Sequence, residues 1–288
     1  MTSVCVEAFH NKQEAAWCPG CGNFAILETV KQTLADMDLA PHQVVICAGV
    51  GQAPKLPHYL KVNTFTGLHG REVASATAIK LAASDLKVLV HAGDGGAYGE
   101  GGNHLLAAIR RNIDITLVVH DNHYYGLTKG QASPTTAQGV KVSASPFGVV
   151  AQPLNPLALA ISQHAGFVAQ AAATHKENLQ QVLRAAIEHR GFSLVNTLQP
   201  CVTYDKVFTH RYYQEHCFTL GEDYDPTDWH GALSLVTRED RMESIPVGVI
   251  FRHDRPAYDE VVLRHVDRPL RDYGVEPKRI EAIMERFK

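Results

Sequence analysis

The sequence predicts an α/β fold, with a mainly parallel β-sheet, helices on both faces of the sheet and a C-terminal extension. Two observations support this prediction. Short apolar runs recur between residues 43 and 198, and a helical pattern follows most of them. Because consecutive parallel strands need a crossover connection, usually a helix, this alternation favours a parallel sheet that is covered on both faces.

The individual elements follow from the spacing of apolar residues. In the helix predicted over residues 23–37, one face carries Phe24, Leu27, Val30 and Leu34. Further helices are predicted over residues 71–83, 102–111 and 176–189. Strands are predicted over residues 43–50, 87–92, 113–120 and 193–198.

The alternation of strands and helices weakens after residue 205. The remaining stretch is richer in charged residues, in Tyr and His, and in Arg-Pro pairs. We therefore predict a main domain over residues 1–205 and an extension over residues 206–288. We expect the extension to pack on a partner subunit and not to form an independent catalytic domain.

Composition and charge argue against several classes of protein. Hydrophobic residues make up 45% and charged residues 20% of the 288 residues, which is ordinary for a globular protein. The net charge of −3 gives no sign of a nucleic-acid partner. No apolar run reaches the roughly 18 residues of a membrane span, and the N-terminus lacks the apolar core of a signal peptide. The sequence therefore predicts a cytoplasmic protein without a membrane partner.

A candidate metal and phosphate site follows two of the predicted strands. The strand over residues 87–92 leads into Gly93, Asp94 and Gly95, where glycines let the backbone approach an anion closely. Asp94 is a hard oxygen ligand suited to Mg²⁺, and Asn122 follows the next strand. Because neighbouring parallel strands end at the same edge of a sheet, we expect these two side chains to converge on one cation.

The segment over residues 91–136 closely resembles the thiamine diphosphate (ThDP) motif, which begins with Gly-Asp-Gly and ends in Asn-Asn. Its continuation over residues 125–131 and 133–136 is similar to the β subunit of 2-oxoacid:ferredoxin oxidoreductases, and the 2-oxoglutarate branch is the most similar. Further stretches that resemble this family lie at residues 17–23, 56–61, 68–71 and 199–203. The resemblance implies the ThDP-binding fold, in the form of its diphosphate-binding domain.

The resemblance also implies a set of cofactor contacts. Mg²⁺ would be held by Asp94, Asn122 and the backbone carbonyl of Tyr124. The residues implied to contact ThDP are Gly20, Cys21, His69, Gly93, Asp94, Gly95, Asn122, Leu127 and Thr128. This chain departs from the family at Gly96, where Asp is usual, and at Asp121, where Asn is usual. Neither position is an expected side-chain ligand of the metal, so we expect the site to be retained.

Two residues are candidates for catalysis. His69 matches a family histidine beside the cofactor, where an imidazole could assist proton transfer or stabilise a developing oxyanion. Lys129 matches a lysine that faces the distal carboxylate of the substrate or the cofactor. From the residues alone, an ordinary loop histidine and a solvated loop lysine fit these two positions as well.

The cysteines raise the question of an iron–sulfur cluster. Cys18 and Cys21 have the spacing of a metal chelate, which also fits a redox dithiol or half of a zinc site. The resemblance implies that they hold a [4Fe–4S] cluster together with Cys201 and a fourth cysteine. At the fourth position this chain has Gln52, and Cys47 lies five residues earlier. We expect a cluster with unusual fourth ligation, whereas a three-iron cluster and a labile or lost cluster are the alternatives.

The resemblance implies the oxidative decarboxylation of a 2-oxoacid to acyl-CoA and CO₂, with electrons passed to ferredoxin, in a reversible reaction. The favoured substrate is 2-oxoglutarate, and pyruvate is the alternative. The pyrimidine-binding domain and the activating glutamate are expected on a separate α subunit, in an αβ or α₂β₂ complex. A non-oxidative ThDP-dependent decarboxylase or ligase subunit is a second hypothesis, and a non-catalytic protein with zinc at Cys18 and Cys21 is a third.

Overall fold

The structure, a computed structural model, describes residues 3–274, 281, 284 and 285. The strands in this part of the chain are β1 (Val44–Ala48), β2 (Asn63–Thr66), β3 (Lys87–Gly93), β4 (Thr116–Asp121), β5 (Tyr124–Tyr125), β6 (Gln131–Ala132), β7 (Phe167–Ala172), β8 (Ser193–Leu198), β9 (Cys217–Thr219) and β10 (Ile245–Arg252). The α-helices are α1 (Gly22–Asp36), α2 (Glu72–Ala82), α3 (Gly102–Arg111), α4 (Pro156–Ser162), α5 (Lys176–Glu188), α6 (His210–His216), α7 (Trp229–Thr237) and α8 (Tyr258–Val262). No helix among the described residues is both long and apolar enough to cross a membrane.

One sheet organises the molecule, in the strand order β2-β1-β3-β4-β8-β7-β10-β9. All neighbouring strands in it run parallel except β7 and β10, which pair antiparallel. The short strands β5 and β6 form a separate antiparallel ribbon. This arrangement confirms the predicted fold class.

A hydrophobic core lies on each face of the sheet. Helices α1 and α5 cover one face, and α2, α3, α4 and α7 cover the other. Within β1, Val45 and Cys47 point to the α2 side, while Val44 and Ile46 point to the α1 side. Strands β1, β4, β7 and β8 are buried along their full length, as expected for parallel strands with helices on both faces.

The residues after position 205 continue the same sheet. Strands β9 and β10 form its last two members, and Ile250 and Phe251 of β10 pack in the core that contains Ala232 of α7. This segment therefore shares a sheet and a core with the preceding residues. The boundary at residue 205 and the packing of residues 206–288 on a partner stay predictions.

Most of the predicted elements lie within a few residues of those observed. The largest difference is at the strand predicted over residues 113–120, which begins only at Thr116. The cause is Asp114, whose carboxylate accepts the Gly191 N–H and pairs with Lys80, so the chain turns before the strand begins. Strands β2, β5, β6, β7, β9 and β10 and helices α4, α6, α7 and α8 were not predicted.

Candidate active site

A cavity of about 250 Å³ opens at the carboxyl ends of the central strands β3 and β4. It is lined by Val50, Gly51, Gln52, Ala53, Pro54, His69, Gly93, Asp94, Gly95, Gly96, His120, Asn122, Tyr124, Tyr125, Gly126, Leu127 and Thr128. Ligands of open α/β sheets bind at this edge. The cavity therefore lies where the sequence predicts the metal and diphosphate site.

Most of the predicted cofactor residues surround this cavity. Asp94 and Asn122, from two adjacent strand ends, both line it, as do the other predicted contacts except Gly20 and Cys21. Lys129, a predicted catalytic residue, does not line it and is exposed in a left-handed backbone conformation with φ of +74°. The structure thus brings the motif together and leaves Lys129 at its margin.

The backbone after Asp94 is shaped for close approach. Residues Gly95–Glu100 form a turn of wide π-helix that leads into α3. A Cβ atom at position 95 would collide with the ring of Tyr125, which explains the need for glycine there. The free N–H groups at the beginning of a helix favour the binding of an anion. Gly95 and Gly96, at the beginning of this helical turn, line the cavity.

Only one of the two carboxylate oxygens of Asp94 accepts hydrogen bonds from the described residues. Its Oδ2 accepts hydrogen bonds from the Ser133 hydroxyl (2.5 Å) and the Thr135 hydroxyl (2.7 Å). Asp94 is only 1% exposed, and burial, together with the neighbouring Asp121, raises the pKa of Asp94 to about 7. A cation in the cavity would offset this penalty of burial, so the residue suits a metal site.

Asp121 is turned away from this cavity. Its Oδ1 lies 2.7 Å from the Thr135 hydroxyl, and its Oδ2 accepts a hydrogen bond from Asn196 (3.2 Å). It lines a second cavity, of about 90 Å³, together with His123 and Arg241. Only one of the two neighbouring aspartates therefore faces the candidate cofactor site.

His69 stands at the rim of the cavity between two oxygen acceptors. Its Nδ1 lies 2.8 Å from the carbonyl oxygen of Val50, and its Nε2 lies 3.0 Å from Oε2 of Glu100. The Tyr125 hydroxyl donates to the same Glu100 carboxylate at 3.1 Å. Both contacts of the ring are hydrogen bonds only when the imidazole carries two protons. Glu100 thus orients His69, a role that no pattern in the sequence indicated.

A neutral pair of histidines lies beneath the cavity. Nδ1 of His120, which lines the cavity, is 2.7 Å from Oδ1 of Asn23, and its Nε2 is 2.9 Å from Nδ1 of His91. Burial lowers the pKa of His120 to about 3 and holds the pKa of His91 well below its usual value. These rings therefore contribute hydrogen bonds, and not charge, to this part of the site.

The three cysteines of the predicted cluster lie near the beginning of α1. Burial raises the pKa of the Cys21 thiol, and the nearby Cys201 and Cys18 raise it further. Cys18 Sγ accepts a hydrogen bond from the Thr203 hydroxyl (3.3 Å), and Cys21 Sγ accepts one from the Gln199 amide (3.5 Å). Among residues 3–274, 281, 284 and 285, no group of three or more His, Cys, Asp or Glu side chains is arranged to hold a metal ion. Thiols are the ligand type that an iron–sulfur cluster requires, but the positions of these three do not form a metal site.

The two candidates for the fourth ligand lie in different places. Cys47 is fully buried in the core on the α2 face, whereas Cys21 packs against the core on the α1 face. Gln52 lines the cofactor cavity, and its backbone carbonyl accepts a hydrogen bond from the indole of Trp17 (2.8 Å). The buried Oε1 of Gln52 has no hydrogen-bond partner among the described residues. Of the two residues, only Gln52 both lines the cavity and contacts Trp17, the residue before Cys18.

The chain matches two family models. Residues 42–197 match the thiamine pyrophosphate enzyme, C-terminal TPP binding domain. Residues 201–265 match the C-terminal part of the pyruvate ferredoxin oxidoreductase beta subunit. Together these models cover most of the described chain.

Named relatives and a solved structure agree with these matches. Over 260 residues the chain is 40% identical to 2-oxoacid:ferredoxin oxidoreductase 1, subunit beta, of Aeropyrum pernix, which covers 87% of this chain and 82% of the relative. It is 43% identical over 249 residues to the 2-oxoacid:ferredoxin oxidoreductase subunit beta of Saccharolobus solfataricus, covering 83% and 82%. The structure of 2-oxoglutarate:ferredoxin oxidoreductase from Magnetococcus marinus, with 2-oxoglutarate, coenzyme A and succinyl-CoA bound, matches with a TM-score of 0.90 and 31% identity. That match covers 98% of this chain and 97% of the other.

Proposed function

Because this chain belongs to the family of 2-oxoacid:ferredoxin oxidoreductase β subunits, we propose that it is the ThDP-binding subunit of such an enzyme. The enzyme decarboxylates a 2-oxoacid, transfers the acyl group to coenzyme A and passes the electrons to ferredoxin, in a reversible reaction. We favour 2-oxoglutarate as the substrate, with pyruvate as the alternative. The observation that carries the proposal is the convergence of Asp94 and Asn122 on one cavity at the carboxyl ends of β3 and β4.

The residues at this cavity fit Mg²⁺ and a diphosphate. Asp94 Oδ1 accepts no hydrogen bond from the described residues, and oxygen ligands from Asp94, Asn122 and the Tyr124 carbonyl suit Mg²⁺. Gly95 and Thr128 would contact the diphosphate. When bound, ThDP supplies the nucleophile that adds to the keto carbon and the electron sink that lets CO₂ leave.

His69 and Lys129 have separate roles in the proposal. His69, whose Nε2 contacts Glu100, lies at the cavity rim, where an imidazole would assist proton transfer beside the cofactor. Lys129 lies outside the cavity lining but next to Thr128, from which its ammonium could reach the distal carboxylate of a dicarboxylic substrate. A cation in this role would suit the second carboxylate of 2-oxoglutarate, which pyruvate lacks.

We place an α subunit over the mouth of the cavity. Val50 and Leu127 line the cavity and are 46% and 42% exposed, and Leu68, next to His69, is 76% exposed. Exposed apolar side chains around a cavity suit an interaction surface. The α subunit would close the cavity, supply the activating glutamate and contact residues 206–288, in an αβ or α₂β₂ complex. The cytoplasmic location belongs to the same proposal.

The cysteines support an iron–sulfur cluster in this proposal by their chemistry. Cys18, Cys21 and Cys201 provide three thiols at the positive end of the α1 dipole, which favours anionic ligands. Gln52 or a water would occupy the fourth position. Cys47 is left out of this proposal because it is buried on the other face of the sheet.

The test is anaerobic purification of the chain with its α subunit, followed by an assay of ferredoxin reduction. We expect reduction that depends on both coenzyme A and a 2-oxoacid, and that is faster with 2-oxoglutarate than with pyruvate. Iron and sulfide analysis of the same sample, with Cys201→Ser as the matched variant, checks the cluster. Release of CO₂ without coenzyme A and without reduction of an acceptor would instead identify a non-oxidative ThDP enzyme. Zinc in place of iron would contradict the cluster.

A further inference from the structure

We propose that Ser133 and Thr135 are positioning residues that hold the carboxylate of Asp94 so that its Oδ1 faces the cation. This inference rests on the proposed function, because it concerns the metal site of the bound cofactor. The two residues belong to the segment 133–136, which the family resemblance singled out but to which the proposed chemistry gives no role.

The two carboxylate oxygens of Asp94 have different surroundings. Both hydroxyls donate to Oδ2, at 2.5 Å from Ser133 and 2.7 Å from Thr135. Oδ1 accepts no hydrogen bond from any residue that the structure describes, and Asp94 lines the cavity. Rotation of the carboxylate would break two short hydrogen bonds in a buried place. The hydroxyls therefore fix which oxygen is offered to the cavity.

Thr135 also separates the two aspartates. Its hydroxyl oxygen lies 2.7 Å from Asp94 Oδ2 and 2.7 Å from Asp121 Oδ1. The other oxygen of Asp121 is taken by Asn196, which in turn accepts a hydrogen bond from the Tyr98 hydroxyl (2.7 Å). Asp121 is thus held toward the second cavity and does not compete for the cation.

His123 completes the hydrogen bonding between these groups. Its Nδ1 lies 3.1 Å from the Thr135 hydroxyl oxygen and 3.3 Å from Asp121 Oδ1. The Thr135 hydroxyl carries one hydrogen, so it can donate to Asp94 or to Asp121 but not to both. An N–H at His123 Nδ1 provides the donor for Asp121 Oδ1. Thr135 is then free to donate to Asp94.

The segment 133–136 is itself anchored to the strand end that carries Asn122. The Thr136 hydroxyl accepts from the Ser133 N–H (2.8 Å) and donates to the carbonyl of His123 (2.5 Å). The Pro134 carbonyl accepts the Leu154 N–H at 2.8 Å. The strands place the backbones of the two ligands, and this anchored segment sets the orientation of the Asp94 side chain.

The test measures Mg²⁺ affinity in the purified αβ complex at saturating ThDP, by calorimetry, with Mn²⁺ as a spectroscopic probe of the same site. Thr135→Val keeps the branched shape and removes the hydroxyl, whereas Thr135→Ser restores it. Loss of a group that orients a metal ligand lowers metal affinity by about 10–100-fold. We expect that weakening for Thr135→Val and for Ser133→Ala, and near wild-type affinity for Thr135→Ser. Thr237→Val is the matched control, since among the described residues the Thr237 hydroxyl bonds only to carbonyls within α7.

The outcomes separate this inference from the proposed function. If the wild-type complex binds neither Mg²⁺ nor ThDP, the proposed function fails. If the wild type binds both, and Thr135→Val and Ser133→Ala bind Mg²⁺ as tightly as the wild type, the positioning role is wrong. Equal weakening in Thr135→Val and Thr135→Ser would also overturn it, because the hydroxyl would then be irrelevant. Should Thr135→Val fail to fold, Ser133→Ala decides the question alone.

Discussion

Glu72 is a buried carboxyl directly behind the candidate site. It begins α2, is 1% exposed, and its Oε2 has no hydrogen-bond partner among the described residues. A Cβ atom at Gly96 would lie 3.0 Å from its Oε1. Burial raises the pKa of Glu72, and the backbone N–H groups and His69 only partly oppose this effect. The charged form is therefore destabilising.

We predict that Glu72→Gln stabilises the cofactor-free protein at pH 7 to 8. A carboxyl with a raised folded-state pKa leaves the fold fully stable below its ordinary value of 4.5, and stability is lost as the pH rises through the raised value. Gln mimics the protonated form, so the gain should shrink toward pH 4.5. Thermal unfolding of both proteins across this range measures it. An equal difference at every pH would contradict the titration of Glu72 as the cause.

The residues of the site differ in how well they can be predicted from the sequence. Asp94 and Asn122 were predictable because each follows a recognisable strand and the strands end at one edge. Glu100, Ser133 and Thr135 were not assigned roles, since each acts through a contact with a distant segment. Such contacts depend on how loops fold over the sheet, so the spacing of residues along the sequence does not predict them.

At the scale of elements, one loop is fixed against the turn that follows Asp94. Gly70 has a φ of +71°, and a Cβ atom there would lie 2.6 Å from Cβ of Glu100 and 2.8 Å from the N atom of Gly101. His69, the preceding residue, pairs with Glu100. The close approach at Gly70 therefore sets the position of His69.

We predict that Gly70→Ala destabilises the protein by more than about 1–2 kcal/mol, from the left-handed backbone alone, and lowers kcat by displacing His69. Denaturant unfolding and steady-state kinetics of the complex measure both effects. Gly102→Ala is the matched control. Apart from its own helix and chain neighbours, no atom of the described residues lies within 4 Å of the added Cβ, and a position in α3 favours Ala. A Gly70→Ala protein with wild-type stability and kcat would refute the role of this loop.

A second set of elements is joined by a buried ion network. Lys80 of α2 pairs with Asp114 (2.8 Å) and donates to the carbonyls of Ser84 and Leu86. Asp114 also accepts from Arg190 (2.6 Å). The pairing with Lys80 and Arg190 lowers the pKa of Asp114 despite its burial. The network connects α2, the turn before β4 and the residues after α5.

We predict that Asp114→Asn destabilises the fold by about 3–5 kcal/mol, because Lys80 stays buried without its counter-charge. The double variant Asp114→Asn with Lys80→Met should recover much of this loss, since an apolar group then replaces the stranded cation. Urea unfolding of the single and double variants measures the difference. If the double variant is no more stable than Asp114→Asn, the stranded charge is not the cause.

Each of the strands β2, β7 and β10 was missed by the sequence analysis for a physical reason of its own. Strand β7, with the sequence FVAQAA, consists mostly of alanine and glutamine, types that are depleted or neutral in strands. Strand β10 contains Pro246 and Gly248, which interrupt the pattern, and its pairing with β7 shifts register after Val249. Strand β2 is exposed at all four positions at the edge of the sheet, so it has no buried face to reveal it.

At the scale of the whole molecule, the proposal assigns this chain one half of a cofactor site and an α subunit the other half. The cavity, the His69 rim and the segment 133–136 meet at one edge of the sheet. Exposed Val50 and Leu127 line the cavity, and exposed Leu68 is next to His69 in the chain. Cys18 and Cys21 lie just before α1 and close to Cys201, and Trp17, the neighbour of Cys18, donates to the Gln52 carbonyl. This layout suits a subunit whose cavity is covered by a partner, as we propose.

The central claim is that Asp94 anchors Mg²⁺ and ThDP for oxidative decarboxylation. The most direct measurement is ThDP content and coenzyme A-dependent ferredoxin reduction in the wild-type complex and in Asp94→Ala, purified side by side. We predict a full complement of ThDP and turnover in the wild type, and loss of both in Asp94→Ala while the α and β chains still purify together. An Asp94→Ala complex that retains ThDP and full activity would contradict the claim.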